Sequence, residues 1–210
     1  MFEERILSRH LAPVFKPTFW RTLRRAQPHS MVSKRRMQNL WRLLGRVARD
    51  GVAGDYVELG TARGGTALLL AAHRDLCGDA AREVWLYDAF EDFDPPAARF
   101  DDVARLLFDE AGHDRRHVHL VKGFFDRVLP DRPARPIALL HLDAGGYEGV
   151  RDALKLTLPH VAAGGWVVFD NYGVDEDCRR AVHEVLDPVA MGNDLSRFGH
   201  TQVYVQVPGP

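Results

Sequence analysis

From Asp55 onward the chain alternates between two hydrophobic patterns. DYVELG (Asp55–Gly60), EVWLYD (Glu83–Asp88), HVHLVKG (His117–Gly123), IALLHLD (Ile137–Asp143) and GGWVVFD (Gly164–Asp170) are short, nearly continuous apolar runs and predict buried strands. Between them, apolar residues recur every three or four positions and predict helices. These are TALLLAAHRDL (Thr66–Leu76), a segment near Phe100–Glu110, a short turn of helix in FFDRVLP stopped by Pro130, VRDALKLTLPHV (Val150–Val161) and CRRAVHEVLD (Cys178–Asp187). An acidic, Phe-rich loop with Pro95 and Pro96 precedes the second of these helices. TQVYVQV (Thr201–Val207) alternates apolar and polar residues, as a late antiparallel strand would.

Continuous apolar strands joined by helices predict an α/β fold, a mostly parallel sheet covered on both faces. Ligands of such sheets bind beyond the carboxyl ends of the strands, where strand order reverses. Residues 1–50 read instead as helical segments broken by Pro13, Pro17 and Pro28. The last of them, MVSKRRMQNLWRLLGRVARDG, sets Met37, Leu40, Trp41, Leu44 and Val47 at helical spacing and stops at Gly51. That stripe predicts core packing. No repeat or linker divides the chain, so residues 1–210 are expected to form one domain, with 1–50 an appendage or lid and 51–210 the core.

With 46% apolar and 27% charged residues and a net charge of −1, the chain is an ordinary globular one, with no global pull toward nucleic acid or membrane. Arg21, Arg24, Arg25, Lys34, Arg35 and Arg36 make residues 1–50 basic. A solvated helical face accounts for them more simply than an RNA-binding arm. Cys77 and Cys178 stand in no metal-ligand spacing and predict unpaired thiols in a reducing compartment. MFEERILSRHLAPVF lacks the charge pattern of a signal peptide, and no stretch reaches membrane-spanning length, so a cytoplasmic location is expected.

Candidate chemistry gathers at the strand ends. ELGTARGGT (Glu58–Thr66) leaves the first strand and opens the first helix. Its glycines would let the backbone approach a ligand, and the helix start offers N–H groups. It is neither G-x-G-x-x-G nor a Walker loop. Glu58 adds negative charge and suits a cationic group, such as the ammonium or sulfonium of S-adenosylmethionine. Asp88 ends the second strand, where a carboxylate can receive both hydroxyls of a ribose. Asp143 and the pair Asp170–Asn171 end two neighbouring strands. Three oxygen donors on one cleft suit a hard divalent cation such as Mg²⁺, which could lower the pKa of an acceptor hydroxyl. Turn and cap roles are the plainer use of the same residues.

The stretches MVSKRRMQNLW, GDYVELGTARGGT, VWLYDAFED, VKGFFDRVLP, LHLDAGGYEG and GGWVVFDNYG, in that order, resemble the macrocin O-methyltransferase family from Met31 to about Leu186. The resemblance implies a Rossmann-like class I methyltransferase fold, with S-adenosylmethionine as donor, Mg²⁺, and a small hydroxylated acceptor, a natural-product sugar foremost. It implies Met31, Glu58, Gly60, Thr61, Arg63, Gly64, Thr66 and Asp88 as donor-binding positions, and Gly123 and Phe124 beside the adenine. Asp143, Asp170 and Asn171 become metal ligands, with Asp143 also the candidate general base.

Two departures stand out. LDAGGYEG replaces the family's usual L-D-G-D-L-Y-E-S, so Gly145 or Gly146 stands where an acid is expected, and Asp170–Asn171 replaces an Asp–Asp pair. The Asp, Asp, Asn set is similar to that of catechol O-methyltransferases, which makes a phenol or catechol the second acceptor class. The alternatives are an NAD-dependent dehydrogenase, disfavoured by Glu58 and the missing G-x-G-x-x-G, and a non-catalytic binding module. His141 is expected to be a satisfied core histidine. Tyr147 and Tyr172 could stack on an acceptor or simply pack. Trp20 and Met31 are expected in a lid that excludes water; a homo-oligomer contact would use the same residue types.

Overall fold

The computed structural model describes residues 17–91 and 99–209. The expected break at Pro13 and the loop carrying Pro95 and Pro96 lie outside the described residues. Two helices come first, α1 (Pro17–Ala26) and α2 (Lys34–Arg49), and the core follows as β1 (Asp55–Leu59), α3 (Gly65–Cys77), β2 (Val84–Asp88) and α4 (Phe100–Ala104). A π-helical turn over Arg105–Glu110 extends α4. The remainder is β3 (Val118–Lys122), α5 (Phe125–Val128), β4 (Ile137–Leu142), α6 (Tyr147–Thr157), β5 (Val161–Phe169), α7 (Glu176–Leu186), β6 (Ser196–Phe198) and β7 (Gln202–Gln206).

The seven strands form one sheet in the order β3-β2-β1-β4-β5-β7-β6. The first five in sequence run parallel, and β7 pairs antiparallel with both β5 and β6. This is the Rossmann-like methyltransferase architecture. Strand order reverses between β1 and β4, so Gly60 and Asp143 emerge side by side at the switch point. The amide of Asp143 donates to Leu59 O at 2.9 Å, and that of Asp170 to Leu142 O at 3.0 Å. These bonds extend the ladders just far enough to set the polar strand ends in a row.

Two apolar layers cover the sheet. On one face α1, α2 and α3 pack against Tyr56, Leu86, Leu139 and Val168; on the other, α6 and α7 pack against Val57, Leu140, Val167 and Phe169. Met37, Leu40, Trp41, Leu44 and Val47 are all fully buried, so the stripe on α2 is core as expected. Each such side chain contributes roughly 1.5–3 kcal/mol of gross burial free energy, which is what fastens the appendage to the sheet. Cys77 and Cys178 form no disulfide.

Three expectations need adjusting. Helix α6 starts at Tyr147 rather than Val150, because Gly146 takes φ +80° and turns the chain directly into the helix. It stops at Thr157, since Pro159 turns Leu158–His160 into a 3₁₀ turn. Strand β5 already begins at Val161. The strand β6, only three residues long, has too short a pattern to register in the sequence.

Candidate active site

The loop from β1 into α3 is shaped first by the protein's own backbone. A Cβ on Gly60 would collide with the backbone of Asp143, and one on Gly65 would meet Ser30, with His29 O at 2.7 Å. These glycines therefore admit the neighbouring strand and the α1–α2 connection, and both also line the recesses at the strand ends. Ala62 and Phe90 adopt φ of 44° and 48°, strained for residues with side chains. One carboxylate holds both: Asp88 Oδ2 accepts from Ala62 N and Oδ1 from Phe90 N, each at 2.8 Å. Each oxygen keeps a second lone pair for a hydroxyl. No sequence pattern pointed to Ala62 or Phe90.

A cavity of about 680 Å³ opens beyond these ends, lined among others by Gly60, Ala62, Asp88, Phe124, Asp143 and Glu148. It is of the size that takes a small-molecule ligand. Phe124 is 41% exposed and follows Gly123, whose φ is +154°. A smaller recess of about 20 Å³ lies against Met31, Thr61, Arg63, Thr66 and Asp143 beneath the α1–α2 connection. Thr61 and Thr66 are buried and Arg63 exposed. Met31 lines the recess, whereas Trp20 points to the outer side of α1, against Phe19.

Asp143 belongs to a cluster of buried charge with Glu58, His141 and Asp170. Glu58 and His141 occupy paired positions on β1 and β4, both fully buried, with Nδ1 2.9 Å from Oε1. His141 is thus the hydrogen-bonded core histidine expected. Burial alone would lower its pKa, but the bond to Glu58 and the charges of Asp170 and Asp143 outweigh it, and the pKa is raised. Glu58 Oε2 and His141 Nε2 are buried without a hydrogen-bond partner among the described residues.

Asp143 Oδ1 accepts from Asn171 Nδ2 at 3.0 Å, which brings two of the three proposed metal ligands together. Asp170 is engaged elsewhere. It is fully buried, Gln202 Nε2 donates to its Oδ1 at 2.7 Å, and Arg36 pairs with its Oδ2. Among the described residues no three His, Cys, Asp or Glu side chains are grouped to hold a metal. Burial, with Asp170 and Glu58 nearby, pushes the Asp143 carboxyl up to about 7, against the opposing pull of His141 and Arg36.

Arg36 is therefore not part of a solvated face, as its basic neighbourhood suggested. It also donates to Met31 O at 3.3 Å, so one guanidinium ties the α1–α2 connection to the strand end. Asn39 donates to Gln202 Oε1 at 2.7 Å, and Arg42 to Asn39 Oδ1 at 2.6 Å. Arg36, Asn39 and Arg42, three apart on one side of α2, were the available signal in the sequence. Tyr172 bonds His183 Nε2 at 2.7 Å, and Tyr147 bonds Glu184 beneath the Arg180 guanidinium. Both tyrosines are thus turned to α7.

Comparison with known proteins identifies the family. Residues 24–107 and 100–206 match the macrocin-O-methyltransferase (TylF) family. The chain is 32% identical, over 84% of its length and 74% of the relative's, to an 8-demethyl-8-(2,3-dimethoxy-alpha-L-rhamnosyl)-tetracenomycin-C 4'-O-methyltransferase of Streptomyces olivaceus. It is 27% identical to the demethyldecarbamoylnovobiocin O-methyltransferase of Streptomyces niveus, over 86% of this chain and 76% of that one. The solved O-methyltransferase NovP superposes with a TM-score of 0.79 at 26% identity, covering 86% of this chain and 82% of its own. The chain belongs to the macrocin-O-methyltransferase (TylF) family of S-adenosylmethionine-dependent O-methyltransferases that act on small-molecule hydroxyls.

Proposed function

We propose that the chain transfers the methyl group of S-adenosylmethionine to a hydroxyl on a sugar of a natural product, with Asp143 taking the hydroxyl proton. The observation that carries this reading is the meeting of Asp143 and Asn171 at 3.0 Å beside Gly60, at the switch point of the sheet. The relatives support the acceptor class. One is a methyltransferase of a rhamnosyl tetracenomycin and another a mycinamicin III 3''-O-methyltransferase of Micromonospora griseorubida.

Asp88 lies in the cavity with its two oxygens set by Ala62 and Phe90, and would accept the donor's ribose hydroxyls. Phe124 would border the adenine. Glu58 Oε2, buried and unpaired, would face the ammonium group. Met31, Thr61, Arg63 and Thr66 would enclose the methionine part, with Gly60, Gly64 and Gly123 giving the backbone its course around it.

The donor set suits a divalent cation. Asp143 is a carboxylate crowded by Asp170 and Glu58, and Asn171 is a neutral amide beside it whose oxygen can face the same point after an amide flip. Asp143 and Asn171 would hold Mg²⁺ there, with Asp170 adding charge from behind. When bound, the ion lowers the pKa of the acceptor hydroxyl and orients it. In the transfer, the hydroxyl oxygen attacks the methyl carbon in line and the C–S bond breaks. The electron pair returns to sulfur, which becomes a neutral thioether. Asp143 takes the proton. Without an ion the carboxyl stands at about 7, so it can take a proton near neutral pH.

The test is methyl transfer from S-adenosylmethionine to a panel of rhamnosides and phenols, with and without EDTA. Turnover of rhamnosides that EDTA removes and MgCl₂ restores is the expected result. Turnover of phenols alone would reassign the acceptor, and EDTA-resistant turnover would remove the ion.

A further inference from the structure

We propose that His141 is a positioning residue that aims Glu58 at the ammonium group of the methyl donor. This rests on the reading of Glu58 as the carboxylate that receives that group. His141 and Glu58 are both fully buried, on adjacent parallel strands and in register. A carboxylate only accepts, so the proton between Nδ1 and Oε1 belongs to Nδ1, and the 2.9 Å bond is charge-assisted. Glu58 makes no other side-chain hydrogen bond among the described residues, and its Oε2 is buried and unsatisfied.

An unpaired buried carboxylate oxygen is costly and keeps its orientation only if something fixes the rest of the group. Here the imidazole does so. With Oε1 taken by Nδ1, rotation of the carboxylate about its last bond is blocked and Oε2 is left as the acceptor for a ligand. Without that bond the carboxylate would turn, and the donor would meet an acceptor that must first be reoriented. His141 Nε2 has no partner among the described residues, so Glu58 alone defines what the ring holds.

Two amide replacements separate positioning from mere packing. In His141→Asn the amide nitrogen falls where Nδ1 stands; in His141→Gln it falls where Nε2 stands. Binding is measured by calorimetry on the full chain with S-adenosylhomocysteine, which carries the ammonium group, and with methylthioadenosine, which lacks it. Glu58→Gln serves as the reference. The expected result is that His141→Asn stays within about threefold of wild type for both ligands. His141→Gln should weaken S-adenosylhomocysteine by about tenfold or more, the loss of one charge-assisted bond, and leave methylthioadenosine unchanged.

If both His141 variants keep wild-type affinity while Glu58→Gln loses tenfold, positioning is overturned and the reading of Glu58 stands. If Glu58→Gln itself binds S-adenosylhomocysteine normally, that reading falls and the proposal with it. Equal weakening of both ligands in His141→Gln would mean a packing role only, and would also overturn the proposal.

Discussion

Asp143→Asn should make the protein more stable and nearly inactive at once. The Asp143 carboxyl stands at about 7 against an ordinary 3.8, an upward displacement of about three pH units. At about 1.4 kcal/mol per unit this bounds the cost of ionising it in the fold at roughly 4 kcal/mol. Its carboxylate borders an open cavity, and screening there brings the cost to about 2 kcal/mol. The sign follows from proton binding. Between about pH 4 and pH 7 the folded state retains a proton that the unfolded chain has released, so stability falls as pH rises through that window.

Asparagine is the same shape and keeps an oxygen for Asn171 Nδ2, but carries no charge. In EDTA at pH 7.5 the variant should melt about 4–8 °C above wild type, and at pH 4.5 the gain should shrink toward zero. Scanning fluorimetry at the two pH values measures both. Turnover of a rhamnoside acceptor should fall by about 10²–10⁴-fold, with S-adenosylhomocysteine affinity nearly unchanged. A gain of equal size at both pH values would show that charge at Asp143 is not its source. Normal turnover would remove Asp143 from the chemistry.

Other substitutions probe the frame around the site. Arg36→Ala leaves Asp170 buried without its cation and should cost about 3 kcal/mol or more, read as a loss of melting temperature; an unchanged melting curve would contradict the pair. Gly65→Ala forces a methyl group into Ser30 and His29 and should destabilise by about 1–3 kcal/mol while weakening the donor through the displaced α1–α2 connection, measured by urea titration and calorimetry. Asp88→Ala releases the strained turns at Ala62 and Phe90 together, and should weaken S-adenosylhomocysteine by tenfold or more. Retained affinity would show those turns hold themselves.

Much of this arrangement could be read from the chain. Continuous apolar runs ending in Asp88, Asp143 and Asp170 gave the parallel strands and their polar ends, because strand burial and strand termination both leave local marks. What stayed hidden depended on contacts between distant segments. Asp170 reads as a strand-end acid in sequence, yet only the packing of α2 across the sheet puts Arg36 upon it. Gly65 reads as part of a ligand loop, and only the fold shows that Ser30 also crosses it and excludes a side chain. The partnership of Glu58 and His141 depends on register between β1 and β4, which no pattern along either strand encodes. β6 and the early start of α6 escaped because three residues and a single glycine carry too little periodicity.

The most direct measurement is a crystal structure of the chain grown with S-adenosylhomocysteine and MgCl₂. The nucleoside should lie along Asp88 and Phe124, with the ammonium group on Glu58 and an ion about 2.1 Å from oxygens of Asp143 and Asn171. A nucleoside bound away from the β1–β4 switch point, or an ion that avoids Asp143, would contradict the site described above.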